Sequence, residues 1–196
     1  MDRIVIGVSG ASGIILAYKA VQAVVRAGYF VDLVISKAAF MTARQEMGQG
    51  FGSSAGFIES FDDDIQKNLT VHSINNFGAS IASGSYKVRG MLVIPCSMAT
   101  LAAIAIGLSD NLLRRAADVS LKERRPLVIV PREAPLSSIH LEHMLTLSRM
   151  GAVIIPPVPA WYNLPKTLDD VENFVVGKTL DGLGIKHDLY PVWTGY

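Results

Sequence analysis

A chain of 196 residues is long enough for one substantial hydrophobic core and too short for two ordinary domains, so a single domain over residues 1–196 is expected. Half the residues are hydrophobic, mean hydropathy is +0.35, and 18 basic against 17 acidic side chains leave a net charge of +1. That balance excludes an electrostatic case for nucleic acid and points to apolar surface shared between subunits.

The lone cysteine, Cys96, excludes an internal disulfide and fits a reducing, cytoplasmic compartment. Met1-Asp2-Arg3 and the short apolar run behind it make no signal peptide. Met91–Leu108 carries no charge for nearly the length of a membrane span. Pro95, Cys96, Ser97 and Thr100 interrupt it, its first part is β-branched and its second alanine-rich, so it reads as a buried strand and a buried helix, and no membrane partner is expected.

Arg3–Val8 reads as an apolar strand, Ser9–Gly13 as a glycine turn and Ile14–Arg26 as an apolar helix. That order predicts a phosphate cradle over Gly10–Gly13, because free N–H groups at a helix start face an anion with the dipole behind them. The dinucleotide fingerprint fails twice. Gly7, Gly10 and Gly13 follow G-x-x-G-x-x-G, and Asp32 begins the second strand, Phe30–Ile35, where a ribose-binding acid would end it. Phosphate is favoured and NAD disfavoured, with a plain glycine-rich turn as the bland alternative. Ser36 then stands as N-cap or ligand donor for a helix Lys37–Met47. Glu46 lies near that helix's carboxyl end, where a carboxylate is unfavourable unless solvent or a task accounts for it. Gly48–Gly56 reads as flexible, and the acidic run within Phe61–Leu69 as solvated surface.

Thr70–Ile74 reads as a short strand and Asn75–Lys87 as a long loop, with Phe77 in a possible ligand wall. Met91–Ile94 is a central strand. Ser97 and Thr100 follow it, so that with Ser36 three small hydroxyls stand between strand ends and helix starts, which suits a phosphorylated ligand. A helix Asn111–Glu123 carries Arg114, Arg115 and Lys122, and Lys122, Arg124 and Arg125 end it, where cations complement the macrodipole anyway. Strand Leu127–Val130 delivers Arg132 and Glu133 to a strand's carboxyl end, between Pro131 and Pro135, where ligands of open α/β sheets sit. After strand Ala152–Ile155 comes a proline-stiffened loop with Trp161 and Tyr162, whose phenol can donate to an anion. Helix Leu168–Leu183 brings Lys178, and the aromatic tail Val192–Tyr196 suits packing on a neighbour. Asp62–Asp64 and the pair His140 and His143 carry little weight as metal ligands, and no metal is expected. The alternation predicts a doubly wound parallel sheet in a three-layer α/β/α sandwich. The cradle, the hydroxyls and the cations Lys122, Arg132 and Lys178 exceed what one phosphate needs, which implies a cofactor plus a phosphorylated substrate.

The runs GVSGASG near the start, ISKAA at Ile35–Ala39, ASGS at Ala82–Ser85, PCSMATL at Pro95–Leu101 and, above all, RAADVSLKERRPLVIVPREAPLSSIHLEHM resemble the flavin prenyltransferase family (UbiX type, formerly aromatic acid decarboxylases). That family belongs to the flavoprotein group that includes phosphopantothenoylcysteine decarboxylase. The resemblance covers nearly the whole chain, with Gln45–Ile81 only loosely matched. It implies a Rossmann-like flavoprotein fold and metal-independent transfer of a dimethylallyl group from dimethylallyl monophosphate to reduced FMN, at N5 and then C6. It places FMN against Gly10, Ala11 and Ser12, with Ser36, the turn Ser97, Met98, Ala99 and Thr100, and Arg132 as further contacts. It has Lys122, Tyr162 and Lys178 grip the prenyl phosphate, assembled from neighbouring subunits. Glu133 would protonate the departing phosphate, Ser12 and Glu46 would manage the proton lost on ring closure, and Arg115 would support the charge network.

Phe77 stands nearest the place where some members carry a tryptophan over the site, a weaker π-face for an allyl cation. Lys178 stands where arginine is common, a point charge instead of a bidentate fork. The resemblance further implies a homo-oligomer, commonly a dodecamer, and a UbiD-type decarboxylase as product user, in quinone synthesis or in aromatic acid breakdown. Three other readings compete, of which a purely structural subunit is the least favoured. An FMN-dependent decarboxylase acting on a cysteine-derived substrate is disfavoured by the PREAPLSSIH run. A non-catalytic flavin carrier would leave Lys122, Glu133, Tyr162 and Lys178 without purpose.

Overall fold

The structure, a computed structural model, describes residues 2–195. One sheet of six strands has the order β3-β2-β1-β4-β5-β6, and every neighbouring pair is parallel. The strands are β1 (Arg3–Val8), β2 (Phe30–Ile35), β3 (Leu69–His72), β4 (Gly90–Cys96), β5 (Leu127–Pro131) and β6 (Val153–Ile154). Those at the centre are buried on both faces, which is why they read as continuous apolar runs. Helices α1 (Ile14–Arg26), α2 (Lys37–Met47), α3 (Ser54–Glu59), α4 (Asp63–Gln66) and α8 (Leu168–Gly182) cover one face. Helices α5 (Met98–Ala105), α6 (Leu112–Lys122) and α7 (Ser138–Arg149) cover the other. Two cores result, one around Ile4, Ile6 and Val8, the other around Val5, Met91 and Val93. The three-layer, doubly wound architecture expected from the alternation is the one present.

Several boundaries differ from the sequence reading, those of β5, α6 and α8 by a single residue at an end. The third strand is Leu69–His72 instead of Thr70–Ile74, the central strand runs on to Cys96 through a cis Ile94–Pro95 peptide, and the sixth strand shrinks to Val153–Ile154. The largest correction is Gly48–Gly56, which holds a 3₁₀ turn at Gln49–Gly52 and the start of α3. Its glycines and serines suggest a loose linker, but Phe51 and Phe57 join Phe61 and Tyr18 in an aromatic cluster. Tyr18 stacks on Phe61 with ring centroids 4.4 Å apart, and Phe57 meets Tyr18 edge-on at 6.1 Å. Aromatic burial orders a segment whose local propensity is weak. The acidic run is solvated as read, with Asp62, Asp63 and Asp64 exposed and Ile65 turned inward.

The opposite, amino-terminal ends of β1 and β2 are tied by Asp32, which is fully buried. Its carboxylate accepts from Arg3 Nε at 2.7 Å and from the Tyr86 phenol at 3.2 Å, and faces His72 Nε2 at 2.8 Å. Burial works to raise its pKa, but the hydrogen bonds to His72 and Arg3 outweigh it and hold the carboxyl below the usual carboxylate value. This arrangement joins three strands to the loop before β4. Replacing Asp32 with Ala strands Arg3 and His72, and a loss of about 3 kcal/mol is expected in urea unfolding at neutral pH. Because the folded pKa is depressed, the carboxylate's contribution is complete above the unfolded value of about 3.9 and fades as pH falls through the lower folded value. The gap between wild type and Asp32→Ala should therefore stay constant above about pH 5 and narrow in acid.

Candidate active site

A parallel sheet gathers the carboxyl ends of its strands on one edge, and the residues following β1, β2, β4 and β5 meet there. Ser9 fixes the spacing. Its buried hydroxyl donates to the Pro95 carbonyl at 3.2 Å and accepts from the Ser97 N–H at 2.7 Å, locking the end of β1 to the start of α5. A Cβ at Gly10 would collide with the Ala38 methyl, so only glycine lets this turn lie against the first turn of α2. Ser36 caps α2 by accepting from Ala39 N at 3.1 Å. Ser97 caps α5, accepting from Thr100 N at 3.3 Å while donating to Thr100 Oγ1 at 3.1 Å. Two of the three expected hydroxyls thus act first as caps. They leave the N–H groups of Lys37 and Ala38, and of Met98 and Ala99, without a partner among the described residues.

The cradle expected over Gly10–Gly13 is altered. The N-cap of α1 is Gly13, which has no side chain to cap with, and Glu46 reaches back from the end of α2 to supply one. Its carboxylate accepts from Gly13 N at 3.0 and 3.1 Å and from Ile14 N at 2.9 Å. The positive end of α1 is therefore occupied from within, and the anion-binding helix starts left open are those of α2 and α5. Glu46 has the task that its position demanded, and it lies next in space to the residue that follows Ser12. The Ser12 hydroxyl makes no hydrogen bond among the described residues.

Arg132 and Glu133 follow β5 on the same edge, where Arg132 N donates to the Cys96 carbonyl at 3.1 Å. The Arg132 guanidinium has no carboxylate partner among the described residues, and Glu133 is exposed, accepting from Ala134 N at 3.1 Å. A cavity of about 390 Å³ lies elsewhere, between α1 and α8 near Lys19 and Lys186, and involves none of these groups. Phe77 is exposed in the loop after β3. The Cys96 thiol, wholly buried, is pushed up to about 12 by desolvation and is no nucleophile.

Lys122 stands apart. Helix α6 runs from the carboxyl edge, where Leu112 N bonds the Ile74 carbonyl, down to the turn that starts β5. Lys122 thus lies at the opposite edge, roughly 20 Å of strand away, paired with Glu123 at 2.6 Å. Arg115, higher on α6, bonds Asp118 at 2.7 Å and the Ala82 carbonyl at 3.1 Å. Arg125 donates to the carbonyls of Gly84 at 2.5 Å and Tyr86 at 2.9 Å, so the ASGS loop is clasped to the turn that follows α6. Lys178 lies more than two turns down α8, bonded to Asp181 at 2.7 Å. Tyr162 packs edge-on against Phe174 and Trp193, at 6.3 and 5.7 Å.

Set against known proteins, residues 1–179 match the Flavoprotein family. The flavin prenyltransferase UbiX of Chlamydia muridarum is 47% identical over 193 residues, covering 98% of each chain. The chain belongs to the flavin prenyltransferase family. Among solved structures, AnUbiX (PadA1) in complex with FMN and dimethylallyl pyrophosphate superposes with a TM-score of 0.88 at 41% identity, over 100% of this chain and 98% of that one. A dodecameric FMN-dependent UbiX-like decarboxylase from Escherichia coli O157:H7 gives 0.86 at 42% identity, over 98% and 100%.

For this flavin prenyltransferase, one chain brings together Gly10, Ala11, Ser12, Ser36, Glu46, Ser97–Thr100, Arg132 and Glu133, and it does not bring Lys122 to them. Ser9 was missed by the sequence reading; a hydroxyl directly after a strand and before a glycine turn was its only signal. His140, weighed as a metal ligand, completes a capping box instead, its Nδ1 accepting from Ser137 N at 3.2 Å. Among the described residues no group of three or more His, Cys, Asp or Glu could hold a metal. Replacing Glu46 with Ala removes the cap of α1, and thermal unfolding by circular dichroism should fall by about 3 °C, the equivalent of about 1 kcal/mol. Glu46→Gln, which keeps one acceptor oxygen, should lose less.

Proposed function

We propose that the chain joins the dimethylallyl group of dimethylallyl monophosphate to reduced FMN, and that each active site draws on more than one subunit. The observation that carries this reading is the set of groups on the carboxyl edge that have no partner among the described residues: the Ser12 hydroxyl, the Arg132 guanidinium and the N–H groups opening α2 and α5. They surround a turn that Gly10 keeps bare. That donor set suits FMN, whose phosphate a helix start would take and whose ring would lie over Gly10, Ala11 and Ser12, with Ser36, Met98, Ala99 and Thr100 as further contacts. When bound, reduced FMN supplies N5 and then C6 as the atoms that receive the five-carbon group.

The residues of this chain then have distinct tasks. Lys122, Tyr162 and Lys178 hold the prenyl phosphate, and fixed cations stabilise the departing anion without a metal. As the allylic C–O bond breaks, Glu133 supplies the proton taken up by the leaving phosphate. Phe77 presents a ring face to the allyl cation. Glu46, fixed beside Ser12 by the N–H groups of Gly13 and Ile14, and the Ser12 hydroxyl manage the proton released on ring closure. Arg115, tethered to Asp118, supports the charge network.

The distance of Lys122 from the carboxyl edge supports a composite site, as do the exposed Ile139, Leu141 and Leu145 on α7, an apolar surface suited to other copies. A dodecamer is the assembly we favour. No helix is long and apolar enough to cross a membrane. With its single thiol, the chain is assigned to the cytoplasm, where a UbiD-type decarboxylase would use the product in quinone synthesis or aromatic acid breakdown.

Anaerobic mixing with reduced FMN and dimethylallyl monophosphate, followed by mass spectrometry of the extracted flavin, should show a gain of one prenyl unit. Unchanged flavin that is nonetheless bound would overturn the reading. Glu133→Gln should slow turnover by about 100-fold or more, the usual contribution of a positioned acid. Co-assembled Lys122→Ala and Glu133→Gln chains, each strongly impaired alone, should recover part of the activity, because some sites would then carry both native residues. No recovery would remove Lys122 from the site that Glu133 serves.

A further inference from the structure

Lysine is a demanding choice for gripping a phosphate, because its charge sits on a flexible four-carbon stem with considerable rotamer freedom. In this chain the stem is held. Lys178 Nζ lies 2.7 Å from Asp181 Oδ2, one turn further along α8, and 3.4 Å from the Tyr190 phenol oxygen. Asp181 is braced in turn: Tyr190 donates to the same Oδ2, and His187 Nε2 lies 3.1 Å from Oδ1.

The two bracing residues come from the tail after α8, and the helix is shaped to receive them. A Cβ at Gly177 would stand 2.5 Å from the Tyr190 ring and 2.8 Å from His187 Cε1, so only glycine admits this seating. An ordinary exposed ion pair contributes little and needs no such framework. Here one carboxylate collects hydrogen bonds from three side chains.

We propose that Asp181, braced by Tyr190 and His187, is a positioning residue that holds the Lys178 ammonium for the leaving phosphate of the prenyl substrate. This rests on the reading of Lys178 as a phosphate ligand. Three features of the cluster agree with the task. An ammonium has three N–H donors; Asp181 takes one and Tyr190 is placed for a second, which leaves one for a phosphate oxygen. Hydrogen bonding to Asp181 raises the pKa of Lys178 and so keeps it cationic. The bonds that Asp181 accepts from Tyr190 and His187 spread its negative charge, so it anchors the ammonium without cancelling its field.

The same tail reaches the other phosphate donor of α8's surroundings. Tyr190 packs on Phe174 at 4.9 Å, Phe174 meets Tyr162 at 6.3 Å, and Trp193 closes the row on Tyr162 at 5.7 Å. Lys178 and Tyr162 are therefore mounted on one aromatic row and reach a site as one arm.

The test is steady-state prenylation of reduced FMN under anaerobic conditions with dimethylallyl monophosphate as the varied substrate. Lys178→Ala should raise KM for the prenyl phosphate by at least about tenfold, and if it leaves KM unchanged the phosphate-grip reading itself falls. Asp181→Asn should raise that KM by about fivefold, the scale of re-freezing one long side chain, with kcat within about twofold and affinity for reduced FMN unchanged. The rescue is specific. In a Lys178→Arg background, where a planar fork is already pre-organised, adding Asp181→Asn should shift KM by less than about twofold. A KM unmoved by Asp181→Asn while Lys178→Ala raises it overturns the positioning role. So does an Asp181→Asn defect that is equal in the lysine and arginine backgrounds, or that appears in kcat or FMN affinity, because that marks a merely structural group. Tyr190→Phe keeps the ring on Gly177 and removes only the phenol's bonds. It should raise KM about twofold, an unmoved KM counting against the proposal, and it carries the test should Asp181→Asn fail to fold.

Discussion

Every strand of the sheet points the same way, and most of what this protein can do follows from that. Most strands are regained by a helix running back, β3 to β4 alone among the described residues returning by a loop with one 3₁₀ turn, so one edge collects strand ends and helix starts while the other collects helix ends and strand starts. Free N–H groups face the first edge, and the cations that close helices face the second. Lys122 ends α6, so no adjustment within one chain brings it to Ser12 or Arg132. A catalyst that uses both must use two copies.

The carboxyl edge and the opposite, cohesive edge are built from different chemistry. Around the strand ends the structure relies on short neutral contacts, Ser9 to Pro95 and Ser97, and on the bare backbone at Gly10 that lets α2 close in. These hold geometry while leaving the charged groups Arg132 and Glu133 free to meet a ligand. At the other edge the buried Asp32 is fully engaged by Arg3, His72 and Tyr86, and Arg125 clasps the ASGS loop to the turn that follows α6. Charge there is consumed in cohesion, which is why an acid on the second strand does not signal a dinucleotide.

Much of the fold was legible because burial on both faces writes itself into the sequence. Strands Arg3–Val8 and Phe30–Ile35 and helices Ile14–Arg26 and Lys37–Met47 have the read boundaries. The segment through Gly48–Gln66 was not legible, since its order comes from Phe51, Phe57 and Phe61 meeting Tyr18 across the fold, against glycine-rich local composition. For the site, residues at strand ends were readable from topology, and so was the need for Glu46 to have a partner. Which partner was not, because Gly13 and Ile14 lie more than thirty positions away in sequence. Asp181 stands three residues after Lys178, a spacing visible in the sequence, whereas Tyr190 reaches that pair only because the tail turns back along α8.

The bond from Glu46 to the start of α1 also sets how the molecule breathes. Amide protons in the first turn of a helix normally exchange as fast as the end frays, but those of Gly13 and Ile14 are covered by a carboxylate anchored at the far end of another helix. Their exposure therefore depends on the attachment of α2 as well as on fraying of α1. The beginning of one helix and the end of the next should open as a single unit, and a loosening of α2 anywhere near Glu46 would be felt at Ser12.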